Sequence, residues 1–378
     1  MSSLVKQPIH WVDSQVVLDE WCARWQNHNL LAIDTEFMRS QTFYPKAALL
    51  QVNDGANNVL IDPTKKLDFS AFAALLFNYG IVKALHSCTE DLEVFHRLFG
   101  ALPNNVFDTQ TAAAALGYGY SVGYGALVKH SLNVELSKGE TRSNWLQRPL
   151  SQAQINYAAI DVEYLFVIAQ TFIAALKTQQ RHHWVEEECA SMLENFYLAQ
   201  SPQLAYSRIK GAWKLDAQQL ACLIALCEWR EARAQFRDVP RNRVIKEVAL
   251  MKLAQRKPVR LAQLHGIEGI TDRMIRADGA DILKTIAEAC EIPEAELPQP
   301  VPHPLGGEAN RSVKVLREKV TLLADSLGVA PELLAKKRDY ESLLRNGDVL
   351  PKSLSGWRKN VVGDNLIVWL KQLQVSAS

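Results

Sequence analysis

The sequence has no long apolar run, and its first residues do not have the pattern of a signal peptide. No run of about 18 apolar residues occurs, and the longest apolar stretch, residues 165–176, is interrupted by Gln170 and Thr171. Residues 1–20 contain four charged side chains and no apolar segment of the signal-peptide kind. We therefore expect no membrane-spanning helix and a cytoplasmic location.

Cysteine is scarce, which bears on both disulfides and zinc. The chain has 6 cysteines in 378 residues, and no two of them form a C-x-x-C pair. None has a histidine at the spacing typical of zinc ligands. Six are too few for a disulfide framework in a chain of this length. We expect reduced, mostly buried thiols and no zinc site.

No extreme of composition is present, but the charge is unevenly distributed. Apolar residues make up 48% and charged residues 22%, which excludes a disordered or low-complexity chain. Residues 1–200 hold 14 Lys and Arg against 20 Asp and Glu, whereas residues 201–378 hold 28 against 21. Residues 230–260 alone hold 10 basic and 3 acidic side chains. This pattern predicts an acidic working part joined to a basic docking part, or else two solvated surfaces that differ by chance.

The first 175 residues alternate between strand and helix patterns, as in an α/β fold. Asn53-Asp54-Gly55 is a hairpin signal between two apolar segments. Ser87 and Glu90 have the spacing of a capping box, which predicts that a helix begins there, and the patterns beyond that helix are helical only. We predict a mixed sheet with flanking helices. Its strands are expected at residues 30–37, 47–52, 58–61 and 81–85.

From about residue 206 the sequence predicts helices only. Five of the 15 prolines lie in residues 293–304, and Gly306-Gly307 follows them, which predicts an extended linker. Each flanking segment is long enough for a small helical bundle. The predicted organisation is an α/β domain, a first helical domain, the linker and a second helical domain. Their boundaries are 1–205, 206–292, 293–304 and 305–378.

Two carboxylates lie inside the first apolar strand. Asp34 and Glu36 are two residues apart, so they project from the same face of a strand. Burying two such charges is costly unless a cation meets them. The pair therefore indicates a cation site if the strand is central. If the strand lies at an edge, the two acids are simply solvated.

Three further side chains are candidates for the same site. Asp91 lies early in the helix after the strand at 81–85, where α/β sheets place their sites, although the helix dipole alone also favours an acid there. Tyr157 and Asp161 are four residues apart on a later helix and share one face. That face is opposite the apolar stripe of the helix, so an exposed acid and an amphipathic tyrosine are the alternative.

Taken together, these elements and their order resemble the DEDD exonucleases of the Tyr subtype. Five local strings are similar to ribonuclease D: IDTEF at 33–37, HSCTEDLEVF at 86–95, FDTQ at 107–110, SNWLQRPL at 143–150 and YAAIDVEYL at 157–165. The helical segments resemble the paired HRDC nucleic-acid-binding domains of that family. One departure is Asn144, where the family often has Asp, and it affects local loop contacts and not the four acids.

The resemblance implies a fold and a reaction. The fold is a ribonuclease H-like mixed sheet followed by two all-α domains. The reaction is 3′–5′ exoribonuclease cleavage that releases nucleoside 5′-monophosphates from structured RNA such as tRNA precursors, by a protein expected to be a monomer. Asp34, Glu36, Asp91 and Asp161 would bind two divalent cations, Mg²⁺ or Mn²⁺, with Asp34 bridging them, and Tyr157 would orient the attacking water. A DNA 3′–5′ exonuclease and a non-hydrolytic nucleic-acid-binding module are the alternatives.

Basic side chains suggest where RNA is held. One candidate cluster lies between the last two acidic elements and comprises Lys138, Arg142, Trp145 and Arg148, unless this is a surface loop with Trp145 in the core. The second lies in the first helical domain, at Arg237, Arg241 and Arg243, unless these arginines are merely solvated. The tyrosines of the segment 117–125, GYGYSVGYG, could stack on bases, or the segment is only a turn before a helix.

Overall fold

The computed structural model describes residues 6–136, 140, 143–347 and 349–377, which fold as two compact units. The first unit comprises Met1–Met38, Lys46–Leu193 and Leu305–Ser378. The second comprises Arg39–Pro45 and Glu194–Pro304. The two units have separate hydrophobic cores.

A six-stranded mixed sheet forms the centre of the first unit. Its spatial order is β1-β4-β3-β2-β5-β6. β2 pairs antiparallel with β3 and parallel with β5, so it is a central strand. The strands are β1 (Ile9–Val12), β2 (Leu30–Met38), β3 (Lys46–Asn53), β4 (Asn58–Ile61), β5 (Val82–Leu85) and β6 (Val106–Asp108).

Helices cover this sheet. They are α1 (Gln15–Trp25), α2 (Ser70–Phe77), α3 (Thr89–Phe99), α4 (Thr109–Ala115), α5 (Tyr124–Leu132), α6 (Gln152–Thr178) and α7 (His182–Gln200). A complete capping box between Ser151 and Gln154 begins α6. α6 packs across β2, β3, β4 and β5, and α3 contacts β2 and β3. The predicted α/β fold with a mixed sheet is confirmed.

The longest helix bears on the expectation that the chain has no membrane-spanning helix. By length and composition alone, α6 is long and apolar enough to cross a membrane. Of its most apolar window, 56% is buried inside the protein, mainly against the sheet. This burial is typical of a core helix, which passes the same test.

The C-terminal helices belong to the same unit as the sheet. They are α12 (Gly307–Leu327), α13 (Pro331–Leu334), α14 (Lys337–Asn346) and α15 (Asp364–Ala377). Their buried side chains, among them Leu316 and Leu366, share one hydrophobic cluster with Leu127 and Phe172 of the sheet domain. Trp184 and Trp357 stack with ring centroids 4.3 Å apart. The sheet and the C-terminal helices therefore have a common core.

The second unit is helical. Its helices are α8 (Ala217–Arg237), α9 (Arg241–Val244), α10 (Glu247–Arg256) and α11 (Asp272–Cys290). The proline-rich segment does not extend freely from this unit. Val301 packs against the hydrophobic cluster of these helices, and the rings of Trp213 and His303 lie 5.0 Å apart. The predicted domain boundaries stay predictions, because the compact units divide the chain by packing and not by sequence order.

Two local predictions, one at the start of α3 and one beyond it, are wrong. α3 does not begin with a capping box at Ser87, because Ser87 has φ of 55° and the N-cap is Cys88 without a side-chain hydrogen bond. A sixth strand, β6, follows α3 where only helices were expected. Asp108 of β6 caps α4, since it accepts hydrogen bonds from the backbone of Gln110 and Thr111.

Candidate active site

Asp34 and Glu36 project from the central strand β2 towards α6. One carboxylate oxygen from each, together with one from Asp161, can be chosen so that the three atoms lie within 4.8 Å of one another. The interpretation of β2 as a solvated edge strand is therefore wrong. The three acids line a cavity of about 220 Å³ together with Thr35, His86, Tyr124, Tyr157 and Leu165.

Asp91 joins this group from the first turn of α3. It is 7% exposed, and the Thr35 hydroxyl donates a hydrogen bond of 2.5 Å to its carboxylate. Thr35 lies between the two acids of β2, so this bond ties α3 to the strand that carries Asp34 and Glu36. The four acids and Tyr157, which sequence analysis selected, therefore lie at one site.

Tyr157 and Asp161 come from consecutive turns of α6. The Tyr157 hydroxyl donates a hydrogen bond to the Asp161 carboxylate. The Tyr124 hydroxyl donates a short hydrogen bond to the backbone carbonyl of Asp161 and so holds this turn of α6. The predicted alternative, an exposed acid on the polar face of the helix, is wrong because Asp161 is 7% exposed.

Burial and mutual repulsion raise the pKa values of the site carboxyls. Burial raises the pKa of Asp34 to about 6, although a backbone hydrogen bond at Thr35 opposes this. For Glu36, burial and then repulsion from Asp34, Asp161 and Asp91 raise the pKa to about 10. Burial likewise raises the pKa of both Asp91 and Asp161. Such crowding stores unfavourable charge that a bound cation would relieve.

The donor set fits hard divalent cations. Every candidate ligand is a carboxylate oxygen, which suits Mg²⁺ or Mn²⁺ better than zinc. Asp34, Glu36 and Asp161 are close enough to bind one ion together. Asp91 of α3 accepts a hydrogen bond from Thr35, which lies on β2 between Asp34 and Glu36. Asp91 can therefore also contribute a ligand for a cation at this site.

Sequence analysis missed His86, which lines the cavity, and the buried Gln51, which pairs with Asp34. His86 follows β5, and its imidazole contacts the Thr109 hydroxyl at 3.0 Å and the Val122 carbonyl at 3.1 Å. Burial lowers the pKa of His86, which favours the neutral imidazole. Gln51 pairs with Asp34 across β2 and β3, is fully buried, and has no hydrogen-bond partner for its amide among the described residues. Only its position opposite Asp34 singles it out, and sequence spacing does not reveal that pairing.

Two of the four residues in the first predicted RNA-binding cluster are engaged inside the protein. Lys138 and Arg142 lie outside the described residues. Trp145 is 1% exposed and packs in the core, which corrects its interpretation as an RNA contact. Arg148 is also corrected. Its guanidinium forms a bidentate pair with the buried Asp62 at 2.7 Å, and its remaining N–H groups donate to backbone carbonyls.

The arginines of the second unit that were predicted to contact RNA bind side chains of that unit instead. Arg237 pairs with the buried Asp278 at 2.6 Å, and Arg233 pairs with the same carboxylate. Arg241 donates to Glu231 at 2.6 Å and lies over the Phe43 ring. Arg243 is exposed and donates to the Gln41 side chain. These ion pairs use three of the ten basic side chains in residues 230–260.

Comparison with known proteins agrees with this site. A family profile described as 3′-5′ exonuclease matches residues 9–177, and one described as HRDC domain matches residues 219–286. Ribonuclease D of Pseudomonas paraeruginosa is 44% identical over 366 residues, which is 95% of this chain and 96% of that protein. Ribonuclease D of Escherichia coli K12 is 35% identical over 343 residues, 89% of this chain and 91% of that protein.

Similarity in structure extends over nearly the whole chain. The crystal structure of Escherichia coli RNase D, described as an exoribonuclease involved in structured RNA processing, superposes with a TM-score of 0.88 and 32% identity. The match covers 97% of this chain and 99% of that one. With the four acids and the tyrosine at one site, and with these relatives matched over almost their full lengths, the chain belongs to the ribonuclease D family.

Proposed function

We propose that this protein is a 3′–5′ exoribonuclease of the Tyr subtype that trims structured RNA and releases nucleoside 5′-monophosphates. The observation that carries the proposal is the cavity in which Asp34, Glu36 and Asp161 converge, with Asp91 beside them and Tyr157 hydrogen-bonded to Asp161. A non-hydrolytic binding module would have no need to retain such costly buried acids.

The acids would bind two divalent cations, Mg²⁺ or Mn²⁺. Asp34, Glu36, Asp91 and Asp161 would hold these cations, since their carboxylates meet at one site. When bound, a cation pair of this kind lowers the pKa of water and neutralises charge on a phosphodiester. The raised pKa values of the carboxyls support the need for such cations.

Tyr157 would orient the attacking water and not deprotonate it. Burial, together with Asp161 and Glu36, raises the pKa of Tyr157 above its usual range. The hydroxyl is therefore protonated at neutral pH and acts as a hydrogen-bond donor and acceptor. Its bond to Asp161 fixes its direction at the edge of the acid cluster.

The proposed substrates are structured RNAs such as tRNA precursors. The likeness to a protein described as processing structured RNA supports this substrate class. We further propose that the segment 305–378 is a second HRDC-like domain, that the predicted boundaries at 205, 292 and 304 hold, and that the protein is a cytoplasmic monomer. A DNA exonuclease is the second candidate, since the same acids would serve either polymer.

One assay tests the activity and its alternatives. A structured RNA labelled at its 3′ end and a DNA of the same sequence are incubated with the protein, with Mg²⁺ or with a chelator. We expect labelled mononucleotide from RNA only when Mg²⁺ is present. Release from DNA at an equal rate would favour the DNA exonuclease, and binding without release would favour the non-hydrolytic module.

Matched variants assign the release to the acid cluster. Asp91→Asn should nearly abolish it, because the loss of one ligand removes several kcal/mol of charge stabilisation. Glu90→Gln alters the exposed neighbouring acid and is the control. Equal loss of activity in both variants, or in neither, would remove Asp91 from the ligand set.

A further inference from the structure

The C-terminal helices form a groove with a basic lining. Its volume is about 490 Å³, and it is bounded by α12 and by the segment that joins α13 to α14. Lys314 and Arg317 come from one face of α12, and Lys336 and Lys337 come from the start of α14. Glu332 is the one acid among the ten residues that line it. We call this feature the C-terminal groove.

The basic side chains of the C-terminal groove are available to a ligand. Arg317 and Lys336 form no ion pair with other described residues. Lys314 lies 3.9 Å from Glu318, and Lys337 lies 3.4 Å from Glu341, with both lysines more than 70% exposed. Exposed pairs of this kind contribute little, and a lysine ammonium keeps further N–H donors. In this respect the groove differs from Arg148 and Arg237, whose guanidinium groups are held by buried carboxylates.

An exposed aromatic ring adjoins the groove. Tyr120 is 42% exposed, and the Lys336 ammonium lies 5.2 Å from the centre of its ring. Proteins hold single-stranded nucleic acid with two features. Cations follow the phosphate backbone, and aromatic rings stack on the bases.

One loop joins the groove to the catalytic cavity. It runs from α4 to α5, and Tyr120 lies at its groove end. Val122 accepts a hydrogen bond from His86, and Tyr124 lines the cavity, so the other end of the loop reaches the acids. The four peptide links from Tyr120 to Tyr124 span at most about 14 Å. At about 3.4 Å per nucleotide of a helical strand, this length covers at most about four nucleotides, and it covers fewer of an extended single strand.

From these observations we infer that the C-terminal groove and Tyr120 bind the RNA strand a few nucleotides upstream of the 3′ end that enters the catalytic cavity. The phosphates contact Lys314, Arg317, Lys336 and Lys337, and one base stacks on Tyr120. This inference rests on the proposed function, because it assumes that the cavity takes an RNA 3′ end.

The test compares a long and a short substrate with a neutral groove variant. Lys314→Gln combined with Lys337→Gln removes two exposed cations. The control is Lys65→Gln combined with Lys66→Gln, which makes the same charge change at exposed residues outside both the groove and the cavity. KM and kcat are measured on a single-stranded RNA of about 12 nucleotides and on a dinucleotide that reaches only the cavity.

We expect the groove variant to raise KM for the longer RNA about tenfold and to leave its kcat unchanged. Turnover of the dinucleotide should not change. The dependence of log affinity on log salt should become shallower by about 1.4, since each contact with a single strand contributes about 0.7. Tyr120→Ala should also weaken the binding of the longer RNA about tenfold, because one stacked base is lost.

The outcomes separate this inference from the proposed function. If the wild type cleaves neither the dinucleotide nor the longer RNA, the proposed function fails. If it cleaves both, and the groove variant, Tyr120→Ala and the control have the same KM and salt slope as wild type, the groove inference alone is overturned. An equal rise in KM for the groove variant and the control would also overturn it, because the effect would then follow net charge and not the groove.

Discussion

At the residue scale, the hydroxyl of Tyr157 can be separated from its ring. Tyr157→Phe keeps the ring against Trp145, whose centroid is 6.0 Å away, and removes the hydrogen bond to Asp161. We expect kcat to fall about 100-fold, the usual scale for a positioned proton-handling group. KM for RNA should barely change, because the backbone contacts lie elsewhere. Normal turnover by the Phe variant would mean that Tyr157 only packs.

The crowded carboxyls predict a dependence of stability on pH. In the metal-free protein the pKa values of Asp34 and Glu36 are raised to about 6 and about 10. The folded state then holds more protons than the unfolded state between about pH 4 and about pH 10, so the free energy of unfolding falls as the pH rises through this range. We expect urea unfolding in a chelator to show lower stability at pH 8 than at pH 5, and a smaller difference for Glu36→Gln.

Metal ions should reverse this dependence. Mg²⁺ binds the ionised carboxylates of the folded state, so it should raise the free energy of unfolding more at pH 8 than at pH 5. Glu90→Gln should behave like the wild type, since that acid is exposed. Equal stability of the chelated wild type at both pH values would contradict the raised pKa values.

The residues that sequence reasoning found are those whose spacing fixes their direction. Asp34 and Glu36 share a face because side chains on a strand alternate, and Tyr157 and Asp161 share a face because a helix repeats every 3.6 residues. Gln51 could not be found in this way, because its neighbour Asp34 belongs to another strand. Arg148 was interpreted as an RNA contact because the sequence does not show that Asp62, 86 residues away, neutralises it.

At the scale of elements, the predicted strands are the four inner strands of the sheet. β2, β3, β4 and β5 lie within a few residues of their predicted positions. β6 has three residues and β1 has four, and both are edge strands. An edge strand pairs on one side only, so its formation depends on that one neighbour and periodicity alone does not predict it. The false capping box at Ser87 has a similar cause, because Asp108 from β6 accepts the Cys88 N–H instead.

Arg148 acts as a link between the loop before α6 and the end of β4. Arg148→Ala would leave the fully buried Asp62 without its partner. We expect the free energy of unfolding to fall by about 3 kcal/mol, as when one partner of a buried pair is removed. KM for RNA in the folded protein should stay the same, and Lys66→Ala serves as an exposed control. Unchanged stability with weakened RNA binding would restore the original interpretation of Arg148.

At the scale of the whole molecule, sequence order and packing divide the chain differently. The sequence predicts an independent C-terminal domain after the proline-rich segment. In the structure, the helices after residue 304 share one hydrophobic cluster with α4, α5 and α6. Backbone contacts reinforce it, since the Ala330 N–H donates to the Ala114 carbonyl and Arg181 donates to the Leu327 carbonyl. Amino-acid composition and linker position do not reveal these contacts, because the contacts depend on which apolar faces of the helices meet.

A chain that ends at residue 304 should therefore be unstable and not merely deficient in RNA binding. Its truncation would open the hydrophobic cluster that α4, α5 and α6 share with the C-terminal helices. We expect a lower midpoint of thermal unfolding and aggregation during purification. A truncated chain that unfolds at the wild-type temperature would show that the sheet domain does not need these helices.

A single substitution tests the same packing without removing a domain. Trp357 is 4% exposed and stacks on Trp184, so Trp357→Ala should lower the free energy of unfolding by about 3 kcal/mol. Val368→Ala on α15 alters a side chain that is 52% exposed and should change the free energy of unfolding by less than about 0.5 kcal/mol.

Because truncation would remove this packing together with the C-terminal groove, loss of RNA binding by a truncated chain cannot be assigned to either one. Point variants of the C-terminal groove retain the shared core, so only these variants can measure the contribution of the groove to RNA binding.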